Sequence, residues 1–217
     1  MGKLYAELDD RLRKFIARQP VFFVATAPGL GPDGSGGHVN VSPKGYRDTF
    51  AVLGPQTVAY LDLTGSGAET IAHVRQNGRI TIMFCSFSRE TKIVRLYGTG
   101  EVVLPGSPRW DELAAHFPRT ADRAAELTSQ RAIIVIELER IADSCGYAVP
   151  EMTLATERDV LDRWVSGKTA GELADYRTEK NSVSIDGLPA LDQETAQDQE
   201  TAQDQETAQD QETAGSR

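Results

Sequence analysis

Residues 36–81, GGHVNVSPKGYRDTFAVLGPQTVAYLDLTGSGAETIAHVRQNGRIT, decide how this chain folds. Apolar and polar residues alternate over short segments that are separated by turn-forming residues, a pattern typical of antiparallel strands. The pattern predicts a strand, a turn, a second strand, a second turn, a third strand, a loop of small residues and a short helix. Many of the polar groups that one ligand would need also lie within this stretch.

Residues 38–42 form the first predicted strand of the stretch, with one apolar and one polar face. Because side chains alternate across a strand, we expect Val39 and Val41 to face the core and the polar side chains to line a site. The turn that follows leaves the ammonium group of Lys44 at the end of the sheet. Two roles suit this position equally well: Lys44 is exposed to solvent in the turn, or its charge binds a phosphate. The polar residues of the strand are His38, Asn40 and Ser42.

A hairpin and a helix complete the stretch. Residues 49–53 and 56–63 are predicted to pair across a Gly-Pro turn. Residues 68–77 then predict a helix, and Gly78 is placed to cap its carboxyl end. The unit therefore leads from a strand that holds Asp62, through a loop, to the start of a helix.

The start of that helix has the features of an anion site, with one exception. Unpaired backbone N–H groups at a helix start suit an anion. Ser66 and Thr70 add hydroxyl groups there, whereas the carboxylate of Glu69 in the first turn opposes a phosphate. In the alternative interpretation, Ser66 only caps the helix.

The remaining segments predict further strands with helices at the periphery. Gly98 and Gly100 within one long strand indicate a bulge or a bend, as at the corner of a barrel. Arg95 in the same strand faces inward only if an anion pairs with it. Recurring strands with few helices predict a small β-barrel of the α+β kind and not a doubly wound parallel sheet. Strands are predicted at residues 21–27, 79–87, 91–104 and 132–141, and helices at residues 3–18, 108–117, 121–127, 155–165 and 171–177.

The composition divides the chain into a folded body and an acidic tail. The 217 residues, 40% of them hydrophobic, are enough for one substantial core. Residues 192–217 repeat DQETAQ and hold four Asp and four Glu against one Arg, which accounts for −7 of the formal net charge of −9. Since this tail has no apolar residue larger than Ala, we expect it to be disordered. Residues 1–191 are nearly neutral, so a basic groove for nucleic acid is not indicated.

Several other classes of function have little support in the sequence. Cys85 and Cys145 lack the C-x-x-C spacing of zinc and redox sites, and we expect both to be buried thiols. The three histidines are scattered over different elements, so no metal site is predicted. No apolar run reaches the ~18 residues of a membrane span, and the amino terminus lacks the apolar run of a signal peptide. We therefore expect a cytoplasmic protein that binds neither nucleic acid nor a membrane.

One family shares the order of these segments. The strand VNVSPKG, the hairpin that leads to VAYLDLTGSGAETIAHVRQNGRITIMF and the strand KIVRLYGTGEV resemble the pyridoxamine 5'-phosphate oxidase-like flavoproteins of the FMN-binding split-barrel group. The similarity covers roughly residues 21–141. It implies an α+β, mainly β fold: an FMN-binding split β-barrel of six strands with peripheral helices. It also implies a homodimer that holds FMN at the subunit interface.

The resemblance also assigns roles to single residues. The flavin phosphate is expected near Lys44, Ser66 and Thr70. The ring or the ribityl chain is expected near Asn40, Ser42 and Arg95. The cofactor-binding residues implied in this way are Asn40, Ser42, Lys44, Asp62, Ser66, Thr70 and Arg95.

The chain departs from the true pyridoxamine phosphate oxidases at several of their functional positions. Those enzymes carry an Arg-Lys pair where this chain has Glu69 and Thr70, and an arginine where it has Asn40. Nothing after Ile141 matches their Trp- and Arg-containing motif. Oxidation of pyridoxamine phosphate is therefore not predicted.

Three functions remain open. The leading hypothesis is an FMN-dependent oxidoreductase that acts on a small-molecule substrate. The first alternative is a reductase that binds the deazaflavin F420. The second is a non-catalytic flavin-binding or stress-related protein on the same barrel.

Overall fold

A computed structural model describes residues 2–31, 34–120 and 129–191 of the chain. Within these ranges the chain forms eight strands and five helices. The helix predicted at residues 121–127 and the repeat tail at residues 192–217 lie outside the described residues. None of the described helices is long and apolar enough to cross a membrane.

Apart from β1, which the sequence does not predict, the described elements follow one another in the predicted order. The strands are β1 Leu4–Tyr5, β2 Phe22–Thr26, β3 Asn40–Lys44, β4 Phe50–Val52, β5 Thr57–Leu63, β6 Arg79–Cys85, β7 Lys92–Val103 and β8 Gln130–Cys145. The helices are α1 Asp10–Arg18, α2 Glu69–Asn77, α3 Pro108–Ala114, α4 Val160–Ser166 and α5 Ala170–Asn181. Short 3₁₀ turns lie at Arg47–Thr49 and Pro118–Thr120.

All strands belong to one antiparallel sheet that curls on itself. The hydrogen-bonded order is β3-β2-β6-β7-β8-β5-β4, and β1 pairs with β8. The curl brings β2 against the other end of the sheet. The ring centroid of Phe22 in β2 lies 5.2 Å from that of Phe50 in β4 and 5.6 Å from that of Tyr60 in β5. This open, curled barrel with peripheral helices confirms the α+β, mainly β split-barrel prediction, with eight strands in place of six.

The long strand β8 separates two hydrophobic cores. Ile134 and Ile136 face the barrel interior, which α1 and α2 also cover. Ile133 and Val135 face the opposite side and pack with Trp110 of α3. A strand that is buried on both faces needs apolar residues on both, and the continuous apolar run AIIVI in β8 meets that need.

The amino-terminal helix is shorter than predicted. It begins at Asp10 because the carboxylate of Asp9 accepts a hydrogen bond of 2.8 Å from the backbone N–H of Leu12. Leu4 and Tyr5, which the prediction placed in the helix, pair with β8 instead.

The face assignment of β3 was wrong. Val39 and Val41 are 70% and 62% exposed, and the polar side chains of the strand turn inward. Asn40 and Ser42 lie opposite Thr26 and Val24 of β2, whose side chains face the barrel interior. The cause is a set of hydrogen bonds inside the barrel, described below, which a hydrophobic pattern does not report.

One of the two cysteine predictions was also wrong. Cys85 is buried, as expected, but Cys145 is exposed. Cys145 is the last residue of β8, where the strand leaves the core.

The bulge predicted in the long strand is present and generates a test. The register between β7 and β8 shifts between Tyr97 and Gly98. A Cβ atom at Gly98 would overlap the backbone carbonyl of Glu137. We expect Gly98→Ala to lower the free energy of unfolding by about 2 kcal/mol, because the strands must move apart. Urea unfolding measures this change.

Gly45→Ala is the matched control, because no atom lies within 4 Å of a Cβ placed there. An equal loss of stability in the two variants would contradict the explanation from close strand approach.

Candidate functional site

A cleft of about 800 Å³ opens where the ends of β3 and β5 meet the carboxyl-terminal helices. Its floor belongs to the barrel and includes Lys44, Thr64 and Gly65. Its outer wall comes from residues that follow β8, among them Leu161 and Trp164 of α4. The volume lies in the range of small-molecule sites.

Three charged side chains form an ion cluster at the floor of the cleft. Lys44 Nζ lies 2.8 Å from one carboxylate oxygen of Asp62, and Arg131 Nε lies 2.6 Å from the other. Asp62 is fully buried and Arg131 is 5% exposed, whereas Lys44 is 20% exposed and lines the cleft. The cluster carries one net positive charge, and Lys44 is the member that presents it to the cleft.

The charge state of Asp62 follows from its two cationic partners. Burial alone would raise the pKa of this carboxyl group. Arg131 and Lys44 outweigh burial, so the pKa of Asp62 lies below its usual value. Asp62 is therefore ionised at neutral pH and holds Lys44 in place at the edge of the cleft.

A second, uncharged network lies on the inner face of β3. The amide of Asn40 donates to Thr70 Oγ1 at 3.0 Å and to Thr26 Oγ1 at 3.4 Å, and Ser42 Oγ donates to Asn40 Oδ1 at 3.0 Å. Thr26 Oγ1 also lies 3.0 Å from His73 Nδ1. Burial lowers the pKa of the His73 imidazole, so the ring is neutral at pH 7. This network keeps the polar face of β3 inside the barrel.

Tyr60 lies between the two clusters. Its ring is 5.8 Å from Lys44 Nζ, and its fully buried hydroxyl faces Thr70 without completing a hydrogen bond. Burial, with a smaller contribution from the charge of Asp62, raises the pKa of this phenol well above its usual value. The Tyr60 hydroxyl is therefore neutral and keeps its proton at any physiological pH.

The loop before α2 has open backbone donors, but the chain supplies its own anion beside them. The N–H groups of Gly65, Ser66 and Gly67 make no hydrogen bond to another described residue. The carboxylate of Glu69 folds back over this loop, where a Cβ atom at Gly67 would overlap it. An external phosphate at the helix start would therefore meet a negative charge.

The helix start also decides the alternative role of Ser66. The residue at the helix N-cap is Ala68, and no side chain caps the helix. Ser66 is exposed, so the interpretation that it caps the helix was wrong.

The structure brings the predicted residues together in two groups and leaves two of them apart. Asn40, Ser42 and Thr70 share one hydrogen-bonded network, and Lys44 and Asp62 share the ion cluster. The residues left apart are Ser66, at the surface of the loop, and Arg95, on the outer face of the sheet.

Arg95 and His38 have other partners. The guanidinium of Arg95 donates to Ser144 Oγ at 3.0 Å. Val94 and Leu96, its neighbours along β7, are fully buried on the opposite face. His38 lies before β3, and its Nδ1 is 2.7 Å from Asp186.

Sequence reasoning missed three polar residues that shape the cleft. Arg131 directly precedes the apolar run of β8, and a charge at that position signals a buried ion pair. Arg177 donates to Thr64 Oγ1 at 3.0 Å, and Asn181 donates to the carbonyl of Gly65 at 2.8 Å. Both lie on α5, more than 100 residues along the chain from their partners. No local pattern marks them.

Within the described ranges, no group of three His, Cys, Asp or Glu side chains is arranged to hold a metal ion.

Comparisons with known proteins agree on one family description. Residues 8–145 match the family sequence model described as pyridoxamine 5'-phosphate oxidase. The chain is 42% identical over 205 residues to the pyridoxamine 5'-phosphate oxidase family protein ustO of Aspergillus flavus, covering 88% of this chain and 78% of the relative. The family match includes every strand from β2 to β8 and ends before α4.

Solved structures with a similar fold are more distant in sequence. HupZ of Group A Streptococcus is 20% identical with a TM-score of 0.45, covering 67% of this chain and 98% of HupZ. An FMN-binding protein of Syntrophomonas wolfei is 14% identical with a TM-score of 0.43, covering 60% of this chain and 82% of that protein.

The ion cluster generates a test of stability and its pH dependence. In Asp62→Asn, Lys44 and Arg131 lose their counter-charge, so we expect the free energy of unfolding at pH 7 to fall by about 3 kcal/mol. An aspartate with a lowered pKa stabilises the fold above its unfolded-state pKa of about 3.9, and this stability is lost as the pH falls through the folded-state pKa. The difference between wild type and variant should therefore shrink below about pH 4. Urea unfolding over a pH series measures it.

Asp175→Asn is the control, because Asp175 is exposed on α5. If both variants lose the same stability at pH 7, the cluster does not stabilise the fold in the way described.

Proposed function

Because the chain belongs to the pyridoxamine 5'-phosphate oxidase family, we propose that it is a flavin-binding oxidoreductase with FMN as its cofactor. The observation that supports this most is the ion cluster of Lys44, Asp62 and Arg131 beside a cleft of about 800 Å³. A net positive charge at the floor of a small-molecule cleft suits a cofactor that has an anionic end and an apolar ring.

The residues present fit such a cofactor in charge and in hydrogen-bonding capacity. The ammonium group of Lys44 has three N–H donors and gives one to Asp62, so donors remain for phosphate oxygens. The backbone N–H groups of Gly65, Ser66 and Gly67 are further donors close to the cleft. Thr64 adds a hydroxyl on the cleft floor.

The position of Glu69 shifts the proposed phosphate site away from the helix start. The resemblance implies that Glu69 and Thr70 stand at the sequence positions of the Arg-Lys pair of true pyridoxamine phosphate oxidases, and the Glu69 carboxylate lies beside Gly67. We therefore place the phosphate closer to Lys44 than to Thr70. The hydroxyl of Thr70 already accepts a hydrogen bond from the amide of Asn40. Ser66 stays a candidate contact from the rim of the loop.

The protein part of the mechanism is positioning and exclusion of water. A bound flavin supplies the redox chemistry itself, and the chain orients it against the substrate. Asp62 fixes Lys44, and the network of Asn40, Ser42 and Thr70 fixes the strand that carries it. The carboxyl-terminal helices cover one side of the cleft and limit the access of water.

A non-catalytic flavin-binding protein is the second candidate. The observation that favours it is the position of the Glu69 carboxylate over the loop before α2, because this negative charge opposes a flavin phosphate there. A chain that binds FMN weakly would still retain the barrel, because the ion cluster stabilises the fold without any ligand. The F420 alternative needs a basic groove for a phosphate-bearing tail, and a comparison of F420 binding with FMN binding tests it.

We also propose a homodimer that uses the outer face of the sheet. Side chains of four adjacent strands form a half-exposed, largely apolar surface there. Val41, Phe23, Met83 and Tyr97 belong to it, and Val41 is 62% exposed. In such a dimer Arg95 faces the partner subunit, so it stays a candidate contact to a cofactor held at the interface.

Replacing Lys44 tests the cofactor site. We expect Lys44→Met to weaken FMN binding by about tenfold or more, since a charge-assisted hydrogen bond to phosphate is lost. Binding of riboflavin, which has no phosphate, should change much less. Quenching of flavin fluorescence measures both affinities, and the ratio of the two separates the phosphate contact from any general loosening of the fold.

Lys14→Met, at an exposed position on α1, is the control. An unchanged ratio of FMN to riboflavin affinity in Lys44→Met would refute the phosphate assignment. Tighter binding of F420 than of FMN by the wild type would favour the reductase alternative.

A charge within the outer face tests the dimer. We expect Val41→Lys to raise the dissociation constant of the dimer by about tenfold or more, because a charge is costly to bury without a partner. Sedimentation equilibrium measures the mass in solution. Ile185→Lys, at another exposed apolar position, should leave the mass unchanged. A wild-type monomer, or equal masses for all three proteins, would rule the interface out.

A further inference from the structure

We infer that the carboxyl-terminal wall of the cleft binds an uncharged aromatic or otherwise apolar part of the substrate. This inference rests on the proposed function and adds the chemical class of the substrate that would react with the flavin. The wall lies after residue 145, where the match to the family ends. It therefore lies outside the barrel that the family model covers.

The wall is built from apolar and aromatic side chains. Leu154, Leu161, Trp164 and Tyr176 line the cleft from this side. The rings of Trp164 and Tyr176 meet edge to face, with centroids 4.9 Å apart. Across the cleft, the barrel contributes further apolar residues, which include Pro43, Leu61 and Leu63. A molecule between the two sides meets apolar surface on both faces, the usual setting for an apolar ligand.

Side-chain contacts hold the wall to the barrel. Arg119 donates to Asp48 at 3.2 Å and to Asp162 at 2.8 Å, which joins α4 to the turn that follows β3. Arg177 and Asn181 of α5 bind the loop before α2. Val165 and Leu173, which face away from solvent on these helices, are 5% and 2% exposed. The wall is thus fixed in place before any ligand binds.

The charges of the wall compensate one another. Arg119 has two carboxylate partners, and the adjacent Glu157 and Arg158 at the rim carry opposite signs. The ammonium of Lys168 lies over the ring of Trp164, 4.9 Å from its centroid, and is not part of the lining. The net positive charge of the cleft therefore lies at its floor, beside the proposed phosphate. An uncharged group suits the wall better than an anion.

Tyr46 shows strain at the edge of the same site. Tyr46 has a positive φ of 62°, and every other positive φ among the described residues belongs to a glycine. This conformation costs roughly 1–3 kcal/mol. Its carbonyl accepts from Thr49 Oγ1 at 2.8 Å, and the guanidinium of Arg119 lies 4.0 Å from its ring centroid. Strained residues of this kind concentrate at binding sites, and Tyr46 borders both this cleft and a smaller apolar cavity of about 270 Å³.

The test uses N-phenyl-1-naphthylamine, an uncharged aromatic dye that fluoresces in apolar surroundings. We expect the full chain, saturated with FMN, to bind one dye molecule per cleft. Leu161→Gln should weaken dye binding by about tenfold, because a polar group replaces an apolar contact of similar size. Val160→Gln, at a 58% exposed lining position, should act in the same direction without a risk to folding.

Leu30→Gln is the matched control, since Leu30 is 77% exposed and does not line the cleft. The anionic dye 1-anilinonaphthalene-8-sulfonate should bind more weakly than the uncharged one. Equal dye affinities for the cleft variants and Leu30→Gln, or tighter binding of the anionic dye, would overturn the inference.

Titration of the wild type with FMN alone separates this inference from the proposed function. FMN binding without saturable dye binding would overturn the inference and leave the proposed function standing. Saturable dye binding without FMN binding would contradict the proposed function and support the apolar wall as a site.

Discussion

The buried carboxylate of Asp62 is the charge on which the cleft depends. It has no access to solvent, so its ionised form persists only because Arg131 and Lys44 both reach it. Three segments of the chain are thereby joined: the end of β3, the end of β5 and the start of β8. The same contacts leave one positive charge in excess at the floor of the cleft. The stability of the barrel and the proposed affinity for a phosphate thus share one origin, the ion cluster.

The inner network of β3 explains how an edge strand comes to carry the site. Asn40 bonds to Thr26 and Thr70, so the strand can turn its polar face inward without leaving these groups unpaired. The valines are then left on the outer face, where they form an apolar surface with strands β2, β6 and β7. One set of hydrogen bonds therefore sets both the position of Lys44 and the chemistry of the proposed dimer face.

Local signals in the sequence predicted much of the fold. The hairpin, the cap at Gly78 with a φ of 70°, and the bulge at Gly98 each depend on a few neighbouring residues, and the structure confirms all three. The faces of β3 were misassigned because alternation identifies two faces without saying which one packs inward. Two of the three cleft residues that were not predicted, Arg177 and Asn181, have partners more than 100 residues away along the chain. Contacts of that kind produce no periodic pattern in the sequence. The proposed cofactor roles of Asn40, Ser42, Lys44, Asp62, Ser66, Thr70 and Arg95 stay predictions.

We propose that the ion cluster at Lys44 belongs to a flavin site. The most direct measurement is the visible absorbance spectrum of the purified full chain after incubation with excess FMN and removal of unbound cofactor. We predict flavin bands that remain with the protein, at about one FMN per chain and shifted from those of free FMN. A colourless protein, with all of the added FMN recovered in the unbound fraction, would contradict the claim.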